Sequence, residues 1–150
     1  MGIPKGITEF KFTQALPIAA AASADRNGAV IDMMGYRGVF MQVTFGAIVT
    51  GAVTSIKAQQ DTALAFNVDP QDLAGTRQSV ADDDDDQLVI IDLYEPTDRY
   101  VRLVIDKDAS NNTVETATYI QYGARNRPTT PTVTDKVTYE RHESPAEGTA

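Results

Sequence analysis

Five consecutive carboxylates, Asp82-Asp83-Asp84-Asp85-Asp86, are the densest concentration of chemically capable side chains in this sequence. Carboxylate oxygens are the hard ligands that calcium prefers, so the run invites a cation-site reading. Its spacing argues otherwise. Alternate residues of an extended chain point opposite ways, and the run lacks the glycine and the distal glutamate of a D-x-[DN]-x-[DN]-G calcium loop. A solvated acidic loop, or a charged guard before the strand that starts at Gln87, fits better. The single histidine, His142, lies in a Pro- and Thr-rich tail where no packed neighbours would hold a general base against a substrate. Asp92 and Glu95 could in principle flank a glycosidic bond, but any two of 21 acidic residues pair this closely by chance. Gly35 and Gly38 precede no helical pattern, so they read as turn or bulge residues and not as a phosphate loop. Neither G-x-S-x-G, nor a P-loop, nor H-E-x-x-H occurs, and there is no cysteine. The reading of the residues is therefore a non-enzymatic chain with no catalytic, cofactor-binding or metal-binding residue to name, and no cofactor.

The elements around these residues follow a period of two. Phe10-Lys11-Phe12 alternates with Glu9 and Thr13, and Ala29 to Met33 is a short strand after Asp25-Arg26-Asn27-Gly28, a predicted turn. Tyr36 to Phe45 is the best central strand, with Val39, Met41, Val43 and Phe45 on one face. Ala52 to Gln59 reads as a more exposed strand, and residues 61–79 as the longest loop. Gln87 to Tyr94 and Arg99 to Lys107 have the length and the Pro96-containing connection of a hairpin. Val114 to Gly123 supplies a last core strand. A helical turn is plausible only at Ala19 to Ala22. Seven or eight strands with short turns predict an all-β sandwich.

With 150 residues the chain suits one domain. Residues 1–22 read as an N-terminal arm with the first strand, 23–124 as the β-sandwich core and 125–150 as an extended C-terminal arm. In that arm Val133, Val137 and Tyr139 share the parity of an edge strand. Such arms suit strand addition to a neighbouring subunit. The net charge of -8 is uneven: eight acidic residues and no Lys or Arg lie between Asp82 and Asp98, and the remainder holds 13 of each sign. Without a basic stripe, nucleic acid is not an expected partner. No apolar run is long enough to span a membrane, and the N-terminus lacks a signal-peptide pattern, so synthesis in a cytoplasm without membrane association is expected.

The succession SADRNGAVIDMMGYRGVFMQVTFGAIVTGAVTSIKAQQ, DLAGT, VADDDDDQLVIIDLYEPTDRYVRLVIDK, IQYGARNRP and SPAEGTA resembles a family of small tailed-phage virion proteins, the jelly-roll decoration (cement) proteins. The likeness runs from about Ser23 to the C-terminus. It implies a jelly-roll sandwich on the outer capsid surface that bridges major capsid protein subunits. It also implies a homo-oligomer, dimeric or trimeric, and no functional residue to carry across. A carbohydrate-binding β-sandwich serving virion attachment is the alternative, weakened by the absence of Trp.

Overall fold

A computed structural model describes residues 6–107, 113–142 and 146–148. Alternation of apolar and polar residues produces strands here because only every second side chain can reach one face of a pleated sheet. In β10 (Thr113–Tyr122) the alternation is complete, each inward residue buried and each outward one partly exposed. β4 (Gly38–Ile48) buries Val39, Met41, Val43 and Phe45 as its pattern predicts, and extends three residues past Phe45. With β1 (Lys11–Leu16) and β8 (Leu88–Tyr94) these strands form an antiparallel sheet in the order β1-β10-β4-β8.

The second antiparallel sheet centres on β9 (Tyr100–Lys107) and β5 (Thr54–Asp61). On its flanks lie two broken strands. β2 (Arg26–Asn27) and β3 (Ile31–Asp32) both pair with β9, and β6 (Gln71–Asp72) and β7 (Gln78–Val80) both pair with β5. Treating each broken pair as one strand leaves eight positions, four per sheet, ordered 1-10-4-8 and 2/3-9-5-6/7. That interleaving of first, last and middle strands is the jelly-roll arrangement, so the chain is an all-β jelly-roll sandwich. Ile56 and Ala58 from β5 and Val101, Leu103 and Ile105 from β9 meet the inner residues of β4 and β10 in one core. Each fully buried Val, Leu or Ile among them contributes roughly 1.5–3 kcal/mol.

Several local expectations fail, each for a physical reason. β8 and β9 are not a hairpin, because they lie in opposite sheets. Both carry an apolar inner face, and a four- or five-residue connection can cross the sandwich as readily as it can reverse a strand. β5 is central and not exposed, since Lys57 and Gln59 on its outer face are roofed by Asp72, Asp106 and Arg102. Asn27 is paired with Val104, and Gly28 is needed for space and not for a tight turn. Ala19 to Ala22 forms no helix: the Pro17 and Ala22 carbonyls are taken by Arg26 and Lys107, which holds the segment open.

Beyond Tyr122 the chain returns along the outer edge of β1. Thr129 donates to the carbonyls of Thr8 (2.9 Å from its N–H) and Phe10 (2.6 Å from Oγ1). Arg127 pairs with Glu9. Val133–Asp135 is a 3-10 turn and not a strand, with Val133 fully exposed. Its anchor is Asp135, buried where the carboxylate accepts from the Thr132 N–H (2.6 Å), the Thr132 hydroxyl (2.8 Å) and the Thr13 hydroxyl (3.1 Å), with Lys11 Nζ at 3.5 Å. Burial pushes this carboxyl up, but the Thr132 donors, Lys11 and Thr13 outweigh it and hold it below its ordinary 3.8. A carboxylate with a lowered folded-state pKa stabilises fully above its unfolded value and loses that contribution as pH falls through the folded one. The clasp should therefore be intact above about pH 4 and open on further acidification. Asp135→Asn should remove about 2 kcal/mol at neutral pH and speed proteolysis within 125–142, and it should flatten the acid limb of the stability profile.

Candidate functional site

The jelly-roll connections gather at two ends of the sandwich, and the two ends differ in charge. At one end lie residues 17–25, 49–53 and 81–87, because β4 ends at Ile48, β5 starts at Thr54 and β8 starts at Leu88. The acidic run sits here and is largely occupied. Asp82 accepts from the Gly51 N–H (2.6 Å), Asp85 from the Ile48 N–H (2.7 Å), and Asp84 from the Ala81 N–H (2.9 Å) and the Gln87 side chain (2.8 Å). These carboxylates satisfy backbone donors freed where β4 stops and the chain reverses, which is what short acidic side chains do in turns. Among the described residues, no three His, Cys, Asp or Glu side chains converge in a way that would hold a metal ion. Excess calcium should accordingly leave the melting temperature where a chelator leaves it. A calcium-dependent rise of several degrees would mean that the run rearranges around a cation.

At the other end lie residues 33–37, 62–70, 95–99 and 123–127. A cleft of about 550 Å³ opens between Met33, Met34, Tyr36, Arg37, residues 95–99 and Arg125. Two of its arginines are engaged. Arg99 forks onto Asp32 at 2.6 and 2.9 Å and lies over the Tyr100 ring, and Arg37 meets Tyr94 Oη at 3.2 Å and Glu95 at 3.6 Å. The hydrogen bond from Arg99, offset in part by burial, holds the Asp32 carboxyl below its ordinary range. The neighbouring loop hangs on Asp61, fully buried, whose carboxylate accepts from the N–H groups of Ala63 (3.0 Å) and Val68 (3.2 Å). Burial alone would raise this carboxyl, and the backbone donors lower it instead. The cleft holds ion pairs that close on themselves and no nucleophile with an adjacent base.

The residues singled out from the sequence are dispersed. Asp92 faces outward on β8 and accepts from Tyr122 Oη at 2.6 Å, whereas Glu95 pairs with Arg37, so each has a partner of its own and neither faces a shared cleft. Burial and the Asp92 carboxylate both push the Tyr122 phenol up. His142 is exposed beside Glu140. Gly35 is a turn residue at φ +91°, and Gly38 opens β4 at its first residue with the Tyr122 ring on its Cα, where a Cβ would come within 2.3 Å of that ring. Of the tyrosines, Tyr119 is in the core, Tyr94 and Tyr122 flank Gly38 on the outer face of the first sheet, and Tyr100 carries Arg99.

Two features carry no motif and were not visible in the sequence. One is a buried ion cluster of Arg26, Lys107 and Glu115. The other is the outer edge of β8, where Leu88, Ile90 and Tyr94 are about half exposed. Among the described residues no helix is long and apolar enough to cross a membrane. No protein-family model, curated protein or solved structure matches the chain.

Proposed function

We propose that this chain is a virion structural protein that decorates the outer capsid surface of a tailed phage and stabilises the shell by bridging neighbouring major capsid subunits. The observation that supports this reading most is an agreement between two lines of argument. The residues from Ser23 onward resemble jelly-roll cement proteins, and the strand order is that of a jelly roll. The rest of the molecule is compatible with the role. The ordered acidic loop gives the surface a strong negative pole, which keeps closely spaced copies soluble. Many identical copies on one particle let individually weak contacts act together. Asp84, Asp92, Tyr122 and His142 each contact a neighbour within the chain, which suits a structural role better than a chemical one.

The experiment is to incubate the recombinant chain with expanded, undecorated heads of the phage that encodes it, sediment them, and image the pellet by electron cryomicroscopy. The expected result is saturable cosedimentation, ordered density on the outer shell across capsomer boundaries, and heads that survive higher temperature. Heads that stay bare at saturating protein would overturn the proposal.

A further inference from the structure

We infer that two copies of this chain pair through the outer edges of their β8 strands, in antiparallel register about a two-fold axis beside Ile91. β8 is an edge strand whose backbone bonding is fixed by its register on β4. Phe45 donates to the Gln87 carbonyl and Glu95 to the Arg37 carbonyl, so residues 87, 89, 91, 93 and 95 bond inward. The N–H and C=O groups of Leu88, Ile90, Asp92 and Tyr94 therefore point outward, away from the sheet. Among the described residues only Gln78 reaches this edge, its side-chain amide donating to the Ile90 carbonyl at 2.9 Å.

The other edges are managed. The C-terminal segment and Asp135 cover β1, and both edges of the second sheet are broken into pieces of two or three residues. Long exposed edges normally carry a lysine, a proline or a bulge that prevents pairing. β8 reads LVIIDLY and has none of these, and its one charge, Asp92, is bonded to Tyr122. Leu88, Ile90 and Tyr94 flank the free backbone groups with apolar surface.

Two arguments select a second copy as the occupant, and antiparallel as its direction. First, the strand is self-complementary. Placing Leu88 opposite Tyr94 of the second copy puts Ile90 opposite its Asp92, satisfies all four outward residues of each strand, and sets no like charges face to face. Second, the charge is polar along the strand. The acidic run ends where β8 begins, and Arg37, two-thirds exposed and paired with Glu95, lies where β8 ends, leaving that end without net charge. A parallel pair would stack the two acidic runs. The antiparallel pair moves them about 30 Å apart, beyond the screening length at physiological salt, and brings each towards the Arg37–Glu95 ion pair of the other copy. Gln78 is displaced, and the N–H of Asp92 from the second copy replaces it on the Ile90 carbonyl.

This pairing narrows the homo-oligomer within the proposed function to a two-fold dimer, and its test uses the isolated full chain, so it stands or falls separately from binding to heads. Sedimentation velocity over a concentration series should show a monomer–dimer equilibrium. Ile90→Lys and Ile90→Pro should abolish the dimer with an unchanged circular dichroism spectrum, since residue 90 gives no backbone bond to β4 and proline is tolerated on an outer edge. Gln78→Ala, which frees the Ile90 carbonyl, should leave the dimer at least as tight. The chain has no cysteine, so register can be read directly. A mixture of Ile90→Cys and Asp92→Cys chains should form a disulfide-linked heterodimer, because directly opposed Cα atoms lie about 5.5 Å apart. Either variant alone should cross-link far less, its matching positions being diagonal neighbours at about 7–8 Å. A wild-type chain that is monomeric at high concentration, a trimer, a dimer indifferent to both Ile90 variants, or a dimer without the heterodimeric cross-link would each overturn the inference.

Discussion

Replacing Glu115 by alanine should lower stability by about 3–5 kcal/mol, read as a drop in the urea midpoint at unchanged slope. Glu115 and Lys107 are wholly inaccessible side chains in contact at 2.7 Å, and Arg26 approaches the same carboxylate oxygen at 3.0 Å. The Thr113 hydroxyl donates to the other oxygen. Removing the carboxylate therefore strands one fully buried cation and one nearly buried one, and an uncompensated buried charge is among the most destabilising changes a core can suffer. The cluster also organises the segment between β1 and β2. Arg26 donates to the Pro17 carbonyl at 2.7 Å and Lys107 to that of Ala22 at 3.1 Å. Proteolysis within 17–25 should accelerate together with the loss of stability. Lys107→Met should cost less, because Arg26 still neutralises Glu115, and combining Lys107→Met with Glu115→Leu should recover much of what Glu115→Ala loses. A Glu115→Ala protein with an unshifted midpoint would mean that water reaches the cluster and solvates the cations.

The contrast between this cluster and the core shows which parts of the molecule a sequence can convey. The inner face of β4 is legible residue by residue because Val39, Met41, Val43 and Phe45 obey a local rule, whereas in β10 the alternation is visible but polarity does not choose the face, since Gln121 is buried and Ile120 is not. Periodicity says which side of a strand is buried but not which sheet the strand joins. Hence β8 and β9 look like a hairpin in the sequence, although they belong to opposite sheets. Glu115 has the parity of an inward residue, yet Lys107 and Arg26 reach it only because β9, β10 and β2 converge at that corner. Asp135 is likewise indistinguishable from its polar neighbours until the tail is seen returning to Thr13, more than a hundred residues earlier. The acidic run is visible from the sequence, but its use is not: three of its five carboxylates hold turn backbone, a role that depends on where Ile48 and Gly51 lie.

The edges of the first sheet make the same point about function. β1 and β8 occupy equivalent outer positions, yet one is covered by its own chain's C-terminal segment through Thr129 and Asp135 and the other is left to a single glutamine side chain. An asymmetric treatment of two otherwise similar edges is what a protein that associates in one direction requires, since a second open edge would permit open-ended strand addition.

Gly28→Ala should destabilise by about 1–3 kcal/mol through overpacking, and most of that loss should disappear in a Tyr119→Phe background. Tyr119 is fully buried, and its hydroxyl accepts from the Leu103 N–H at 2.7 Å. Gly28 donates its own N–H to the Leu103 carbonyl at 2.8 Å, which brings its Cα onto the phenol. A Cβ on residue 28 would sit 2.3 Å from that hydroxyl oxygen, and neither partner can retreat: the ring is packed on all sides and the oxygen is tied to backbone. Burial, opposed in part by the Leu103 N–H, pushes the Tyr119 phenol up, so it stays neutral and acts at ordinary pH only as a hydrogen-bonding, space-filling group. Tyr119→Phe alone leaves the Leu103 N–H unsatisfied and should cost about 1–3 kcal/mol. In the double variant the oxygen is gone, and the nearest ring atom lies 3.3 Å from the added methyl, a distance that small shifts relieve. The two changes should therefore be strongly sub-additive in a double-mutant cycle read by chemical denaturation. Simple addition would place the strain of Gly28→Ala in the backbone, at the Leu103 carbonyl 3.2 Å away, and not in the phenol.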